Sequence, residues 1–95
     1  MIRYVALVKL RPDVSEAQVE EWIAATTALS IQGMRSLAFH RDLGLREGNA
    51  AYAVVADFDD EDAYRRYDTD AEHARIRREL AVHLIETIDR CQFQP

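Results

Sequence analysis

The feature that most constrains the fold is a segment near the N-terminus, Ile2–Leu10, that is apolar on both sides of a predicted β-strand. Side chains alternate across a strand, and here one side carries Tyr4 and Val8 while the other carries Val5 and Leu7. Neither side is suited to contact with water, so both sides must be buried against other parts of the protein or against a second chain. A chain of 95 residues has room for one modest core. We therefore expect a single domain over residues 1–95 that covers one side of this strand itself.

The remaining periodicity predicts three more strands and two helical regions. Ser15 and Gln18 have the spacing of a capping box before the first helix. Asp59 or Asp60 is placed to cap the second helical region, and Asp70 to start a further helical run within it. The predicted strands cover residues 2–10, 34–40, 51–58 and the segment IETIDRCQF beyond His83, and the first helix covers residues 16–29.

This β-α-β-β-α-β order is that of the ferredoxin-like split βαβ fold, an α+β class. Its helices cover one face of a four-stranded antiparallel sheet and leave the other face open. Val5, Leu7 and one side of residues 51–58 would then expose more apolar surface than a monomer in water normally does. The sequence therefore predicts a homodimer that pairs sheet against sheet.

Composition and motifs exclude several functions. The net charge is −5, with eleven arginines and only Lys9 as a further cation, so we expect no nucleic-acid partner. No apolar stretch approaches the roughly 20 residues of a membrane span. The lone Cys91 cannot form an internal disulfide, which favours the reducing cytoplasm. Helix capping accounts for the acidic cluster at residues 57–62, and no zinc spacing, phosphate loop or dinucleotide fingerprint is present. We expect no metal and no cofactor.

His73 is the leading candidate for chemistry. It lies one turn into the last helical run, on the same helix face as Ile76 and Leu80, and should point toward the sheet. A helix N-terminus disfavours the imidazolium ion, leaving a neutral ring able to accept a proton from a carbon acid. The alternative is a structural histidine that hydrogen-bonds to Tyr4, Tyr67 or a carboxylate.

Tyrosine phenols are the second candidate group. Tyr4 should face the helices, and its hydroxyl, like that of Tyr67, suits donation to a developing enolate oxygen. The alternative for both is a core role. The face of the first helix that carries Trp22, Ile23 and Thr26 is a candidate ligand wall, with core packing as the alternative.

Other polar residues are predicted to lie at the surface. His40 and His83 fall at element ends. Cys91 has no neighbouring His or basic helix start to activate it. Surface ion pairing, with substrate steering as the alternative, is expected for the helical arginines, which are Arg65, Arg66, Arg75, Arg77 and Arg78.

With these elements placed, the chain resembles the stress-responsive dimeric A/B-barrel (Dabb) family. The resemblance covers nearly the whole chain and is carried by MIRYVALVKLRPDVSEAQVEEW, the loop HRDLGLREGN, YAVVADFDDEDAYRRY and the helix start DAEHARI. It implies a ferredoxin-like protomer whose sheet pairs with that of a second copy to form a β-barrel, with the helices outside.

Members with a known activity resemble polyketide cyclases, which close poly-β-keto chains by aldol condensation without a metal or organic cofactor. The family's HPAH-like segment falls on DAEH, so His73 matches its second His while Asp70 and Glu72 depart from it. Tyr67 matches a pocket tyrosine, and Tyr4 stands where the family has a strand-one histidine.

The expected function is a homodimer that binds a small, mostly apolar, carbonyl-bearing molecule in a pocket between sheet and helices, with cyclase-like acid-base chemistry. Two alternatives stand beside it. One is a stress-responsive dimeric module without chemistry. The other is a haem- or quinol-handling oxygenase of a related barrel family.

Overall fold

The computed structural model describes residues Met1–Pro95. It has the predicted β-α-β-β-α-β order, with the second helical region in consecutive pieces. The elements are β1 (Ile2–Leu10), α1 (Glu16–Thr27), β2 (Met34–Arg41), β3 (Tyr52–Phe58), α2 (Glu61–Thr69), α3 (Ala71–Ile76), a π-helical turn (Arg77–Ala81), α4 (Val82–Leu84) and β4 (Ile85–Phe93). None of the helices is long and apolar enough to span a membrane.

The four strands form one antiparallel sheet in the order β2-β3-β1-β4. The central strand β1 pairs with β3 on one side and with β4 on the other, so that Ala6 is opposite both Val54 and Arg90. Because register fixes the face on which each side chain lies, these three residues share the side of the sheet that the helices cover. The fold prediction is confirmed: this is a ferredoxin-like α+β protein.

Local signals in the sequence account for the element boundaries. Ser15 and Gln18 form the predicted capping box at α1. Asp60, rather than Asp59, caps α2 by accepting from the Ala63 amide, and Asp70 caps α3. Helix α1 ends two residues before the predicted boundary.

The helix-facing side of the sheet forms the core. Alternate residues of β1 and β3 are buried there, and the aromatic and aliphatic side chains of the helices pack on them. The fully buried side chains include Phe58, Ile76 and Val8. At roughly 1.5–3 kcal/mol for each large apolar side chain, this layer accounts for most of the favourable burial.

The π-helical turn changes which residues of the last helical region face the sheet. A regular helix would place Leu80 on the face of His73 and Ile76, as the sequence predicts. Instead Leu80 is only half-buried, while Ala81 and Leu84 are buried. In the wider turn the next buried side chain after Ile76 is that of Ala81, five positions along the chain, so the predicted position of Leu80 is wrong.

The face of the sheet without helices, called here the open face, has no cover within the chain. Leu7 on the central strand is 49% exposed and Phe93 on β4 is 43% exposed. Val5 and Val55, which are paired across β1 and β3, are half-buried. The apolar open face predicted from the sequence is therefore present.

Candidate functional site

A small cavity of about 60 Å³ lies between the helix-facing side of the sheet and the helices. We call it the sheet–helix cavity. It brings together the imidazole of His73, two arginines and a mostly apolar wall. Its lining residues are Trp22, Thr26, Phe39, Val54, Tyr67, His73, Ile76, Arg77, Ala81, Ile85, Ile88 and Arg90.

His73 is held in one orientation by the junction between α2 and α3. Its backbone amide donates to Asp70 Oδ2 at 3.0 Å, the capping bond of α3. Its ring Nδ1 lies 2.8 Å from the main-chain carbonyl oxygen of Tyr67. Arg77 Nη2, which only donates, lies 3.1 Å from the same Nδ1, but its two N–H groups have acceptors in the carbonyl oxygen and Oδ1 of Asp68. The carbonyl oxygen of Tyr67 only accepts and is the closer partner, so this contact assigns the proton to Nδ1 and leaves the lone pair on Nε2.

The Nε2 atom of His73 is a polar atom without a partner in the chain. It makes no hydrogen bond within the chain, and the side chain is 8% exposed. No fully enclosed side-chain nitrogen or oxygen in the protein lacks a partner. Nε2 therefore borders accessible space, and His73 lines the sheet–helix cavity. A ligand in this cavity has a free proton acceptor before it.

Burial keeps this imidazole neutral. Removal from water lowers the pKa of His73, and the positive charge of Arg77 lowers it further. The hydrogen bond to the Tyr67 carbonyl and the charges of Asp68 and Asp70 act in the opposite direction without overcoming burial. A neutral imidazole at neutral pH is the form that can act as a general base.

Arg77 forms an ion pair with Asp68, as predicted for the helical arginines, but it does not lie wholly on a solvated helix face. It is half-buried and lines the cavity. Its Nη2 atom lies 3.1 Å from Nδ1 of His73. The same nitrogen donates to the carbonyl oxygen and to Oδ1 of Asp68, at 3.0 and 3.1 Å. Because Arg77 follows His73 by four residues, it shares the inward helix face, and this spacing was the signal that could have found it.

Tyr67 packs directly on the imidazole. The two ring centroids are 4.1 Å apart, and the Tyr67 side chain is buried. Burial raises the pKa of Tyr67, so its phenol stays protonated as a hydrogen-bond donor. The structure therefore brings Tyr67 and His73 together on the cavity wall, as the sequence suggested.

Tyr4 faces the helices but does not line the sheet–helix cavity. It lies behind Tyr67, with centroids 5.9 Å apart, and stacks on Tyr64 at 5.8 Å. Burial raises the pKa of Tyr4, and the nearby charge of Arg90 opposes that rise. Tyr4 is therefore a core residue beside Tyr64 and Tyr67 and is separate from the cavity wall.

Two of the three α1 residues that were candidates for ligand contact lie on the cavity wall. Trp22 and Thr26 line it, but the Thr26 hydroxyl donates to the Trp22 carbonyl at 2.8 Å and is not a free donor. Ile23 is half-buried against the core and lines no cavity.

Arg90 is a site residue that sequence reasoning missed. It lies on β4, opposite Ala6, and lines the cavity from the sheet side. A charged residue on the inward side of a strand is an informative signal. That signal becomes visible only when the register of β4 is known, because the alternation IETIDRCQF does not by itself indicate which side faces the helices.

Larger clefts lie elsewhere on the surface, but none includes His73. The largest, about 540 Å³, lies between the N-terminal end of α1 and the β2–β3 loop, with Lys9, Arg41 and Glu86 in its wall. Its arginine is already paired with Glu16 at 2.9 Å. No group of three or more His, Cys, Asp and Glu side chains is arranged to hold a metal ion.

The arrangement offers two kinds of polar group. A neutral histidine with a free Nε2 can accept a proton, and the Tyr67 phenol and the arginines can donate hydrogen bonds. The fold and this cavity define the class, a ferredoxin-like α+β protein with a site between sheet and helices.

The family model of the Stress responsive A/B Barrel Domain, Dabb, matches residues 2–93. The chain therefore belongs to the Dabb family, and the resemblance noted in its sequence is confirmed. No curated protein matches the chain.

Three solved structures are similar. A dimeric ferredoxin-like protein of unknown function from Thermobifida fusca is 34% identical, with a TM-score of 0.88 over 99% of this chain and 90% of that one. The hydroxynitrile lyase from Passiflora edulis is 16% identical, with a TM-score of 0.84 over 97% and 90%. SnoaB, a cofactor-independent oxygenase from Streptomyces nogalater, crystallised as the mutant N63A, is 21% identical, with a TM-score of 0.79 over 99% and 91%. The last two show similarity of fold alone.

Proposed function

We propose that this chain is a homodimeric Dabb protein that binds a small, mostly apolar, carbonyl-bearing molecule in the sheet–helix cavity. His73 is the acid-base group and Tyr67 is a hydrogen-bond donor, while Tyr4 supports the Tyr67 ring from the core. The observation that carries the proposal is the unpartnered Nε2 of His73, held in the basic tautomer by the 2.8 Å contact of Nδ1 with the Tyr67 carbonyl.

The proposed reaction begins with proton transfer. Nε2 of His73 takes a proton from the carbon next to the substrate carbonyl, and the C–H electron pair moves onto the carbonyl oxygen as an enolate. Phenol and guanidinium donors stabilise that oxygen. In a cyclase-like reaction the enolate carbon then attacks a second carbonyl of the same molecule, and the imidazolium returns the proton to the new alkoxide. No electron is gained or lost.

The size of the cavity limits what is enclosed. A volume of about 60 Å³ is well below the roughly 300–1,000 Å³ of typical ligand pockets. The cavity therefore suits a small molecule or the reactive end of a longer one. Arg90 both lines the cavity and is exposed to solvent, so a longer substrate would extend past it.

The similar folds support the proposal by analogy only. A hydroxynitrile lyase and a cofactor-independent oxygenase have this fold. The architecture is therefore compatible with small-molecule chemistry, although fold does not determine function.

The dimer has independent support. The Thermobifida fusca protein, 34% identical, is described as dimeric. In this chain the open face carries exposed Leu7 and Phe93 with no cover of its own. A second copy placed sheet against sheet would bury this surface through a self-complementary interface.

A second candidate is a dimeric module without chemistry, and the small cavity volume favours it. In that case His73 is a structural residue that ties α3 to α2 through the Tyr67 carbonyl. The two candidates differ in one respect: only the first needs the free Nε2 to act on a ligand.

Proton exchange tests the proposal. Small ketones and β-keto amides in D₂O are followed by ¹H NMR for loss of the α-proton signal. We expect wild type and His83→Gln, an exposed control, to accelerate exchange over buffer, and His73→Gln to show the buffer rate. Glutamine retains a side-chain N–H that can donate to the Tyr67 carbonyl in place of the imidazole. We therefore expect the variant to fold, so that the exchange rates compare folded proteins. Equal rates in wild type and His73→Gln would remove His73 from the chemistry.

A further inference from the structure

Arg90 differs from the other arginines of the chain. It makes no hydrogen bond or ion pair with a carboxylate, although the chain has 17 Asp and Glu residues. Six other arginines form ion pairs, at positions 3, 35, 41, 65, 75 and 77. The remaining unpaired arginines, at positions 11, 46, 66 and 78, line no cavity. Arg90 is the unpaired arginine that lines a cavity, the same one that His73 lines.

The charged groups around the cavity leave one positive charge uncompensated, which favours an anionic ligand. Arg77 is paired with Asp68 at 3.1 Å, and the imidazole of His73 is neutral because burial lowers its pKa. The guanidinium of Arg90 is then the uncompensated charge at the cavity, in a chain whose net charge is −5. An arginine fork in that position fits the two oxygens of a carboxylate.

We propose that Arg90 binds an acidic group of the ligand, so that the site selects carbonyl compounds carrying a carboxylate over neutral ones. The class is that of the β-keto and related oxo acids, with the carbonyl beside His73 and the acid where Arg90 meets solvent. This inference rests on the proposed function, since both concern the sheet–helix cavity.

The competing role for Arg90 is structural. Its charge lies near the phenol of Tyr4, and in this role it only holds that side chain. The two roles respond differently to the charge of a ligand. A structural arginine affects acidic and neutral ligands equally, whereas a carboxylate-binding arginine affects only the acid.

A pair of matched ligands makes this distinction. Acetoacetate and acetoacetamide have the same number of heavy atoms and differ in the charge of one end. Their dissociation constants are measured by titration at low salt and at physiological salt, using wild type, Arg90→Gln, Arg90→Lys and Arg78→Gln. Arg78 is an exposed, unpaired arginine outside every cavity and controls for the loss of one positive charge.

We expect wild type and Arg78→Gln to bind acetoacetate about tenfold more tightly than the amide, the scale of a partly exposed charge-assisted contact. Arg90→Gln should bring this ratio of affinities near one, because it weakens the binding of acetoacetate only. Arg90→Lys should retain part of the preference for acetoacetate, and higher salt should reduce that preference.

Two results would overturn the inference while leaving the proposed function standing: equal affinity of wild type for both ligands, or equal weakening of both by Arg90→Gln. Binding of neither ligand by folded wild type would contradict the inference and the proposed function together. Circular dichroism of each variant confirms that the comparison is between folded proteins.

Discussion

The Nδ1 atom of His73 lies 2.8 Å from the carbonyl oxygen of Tyr67, and this contact links the break in the helical layer to the tautomer of the imidazole that lines the cavity. Because α2 ends at Thr69 and α3 begins anew at Ala71, the Tyr67 carbonyl has no regular helical partner and receives only a long 3.4 Å bond from the Asp70 amide. It is free to accept from His73. The helix break therefore selects the tautomer that leaves Nε2 basic.

The first prediction concerns pH. Burial lowers the pKa of His73 in the folded protein below its ordinary value near 6.5, so between the two values the unfolded chain holds a proton that the folded chain does not. Stability then falls as pH drops through about 6.5, and this loss ends below the folded pKa. The slope is at most about 1.4 kcal/mol per pH unit.

Urea unfolding between pH 7.5 and 5.5 measures this effect. We expect wild type and His83→Gln to lose free energy of unfolding across the range, and His73→Gln to lose less. This range lies above the pH at which the carboxylates of Asp57 and Glu72 contribute, since their pKa values are lowered by Arg3 and Arg75. Identical pH dependence in wild type and His73→Gln would contradict the buried, neutral state of the ring.

The second prediction concerns the cap that positions His73. Asp70 Oδ2 accepts from the His73 amide at 3.0 Å. Asp70→Ala removes this acceptor and should lower the free energy of unfolding by about 1 kcal/mol, whereas Asp70→Asn retains an acceptor and should cost much less. Urea denaturation of both variants checks the difference. Equal stability of the two variants would show that the cap contributes nothing.

The third prediction concerns the dimer. Leu7 is 49% exposed on the open face, and Val82 is 53% exposed on α4, in the helix layer. Leu7→Asp would bury a charge between two sheets and should give a monomer, while Val82→Asp should stay dimeric because it lies away from the interface. Sedimentation at micromolar concentration distinguishes one chain from two. A monomeric wild type would contradict the sheet-to-sheet dimer.

Much of the fold could be predicted because its signals are local. The two-sided strand at residues 2–10, the capping box at Ser15 and the Asp70 cap each involve residues close together in the chain. The π-helical turn is different: nothing in RRELA marks it, and it is fixed by how the last helical region packs on the sheet. For this reason helix periodicity alone predicts the wrong face for Leu80.

The site was less predictable because it depends on long-range pairing. The family resemblance and helix periodicity selected His73 and Tyr67, which the structure places in contact. Arg90 could not be assigned to the cavity, since its facing depends on the pairing of β4 with β1. Arg77 carried a usable signal, its four-residue spacing from His73, which the surrounding charges obscured.

Nitrogen-15 NMR of the His73 ring in the presence of a carbonyl ligand tests the central claim most directly. The account predicts a protonated Nδ1 and an unprotonated Nε2 in the free protein. It also predicts that acetoacetate shifts the Nε2 resonance saturably while the ring of the exposed His83 does not respond. A proton on Nε2, or an Nε2 resonance unmoved at millimolar ligand, would contradict it.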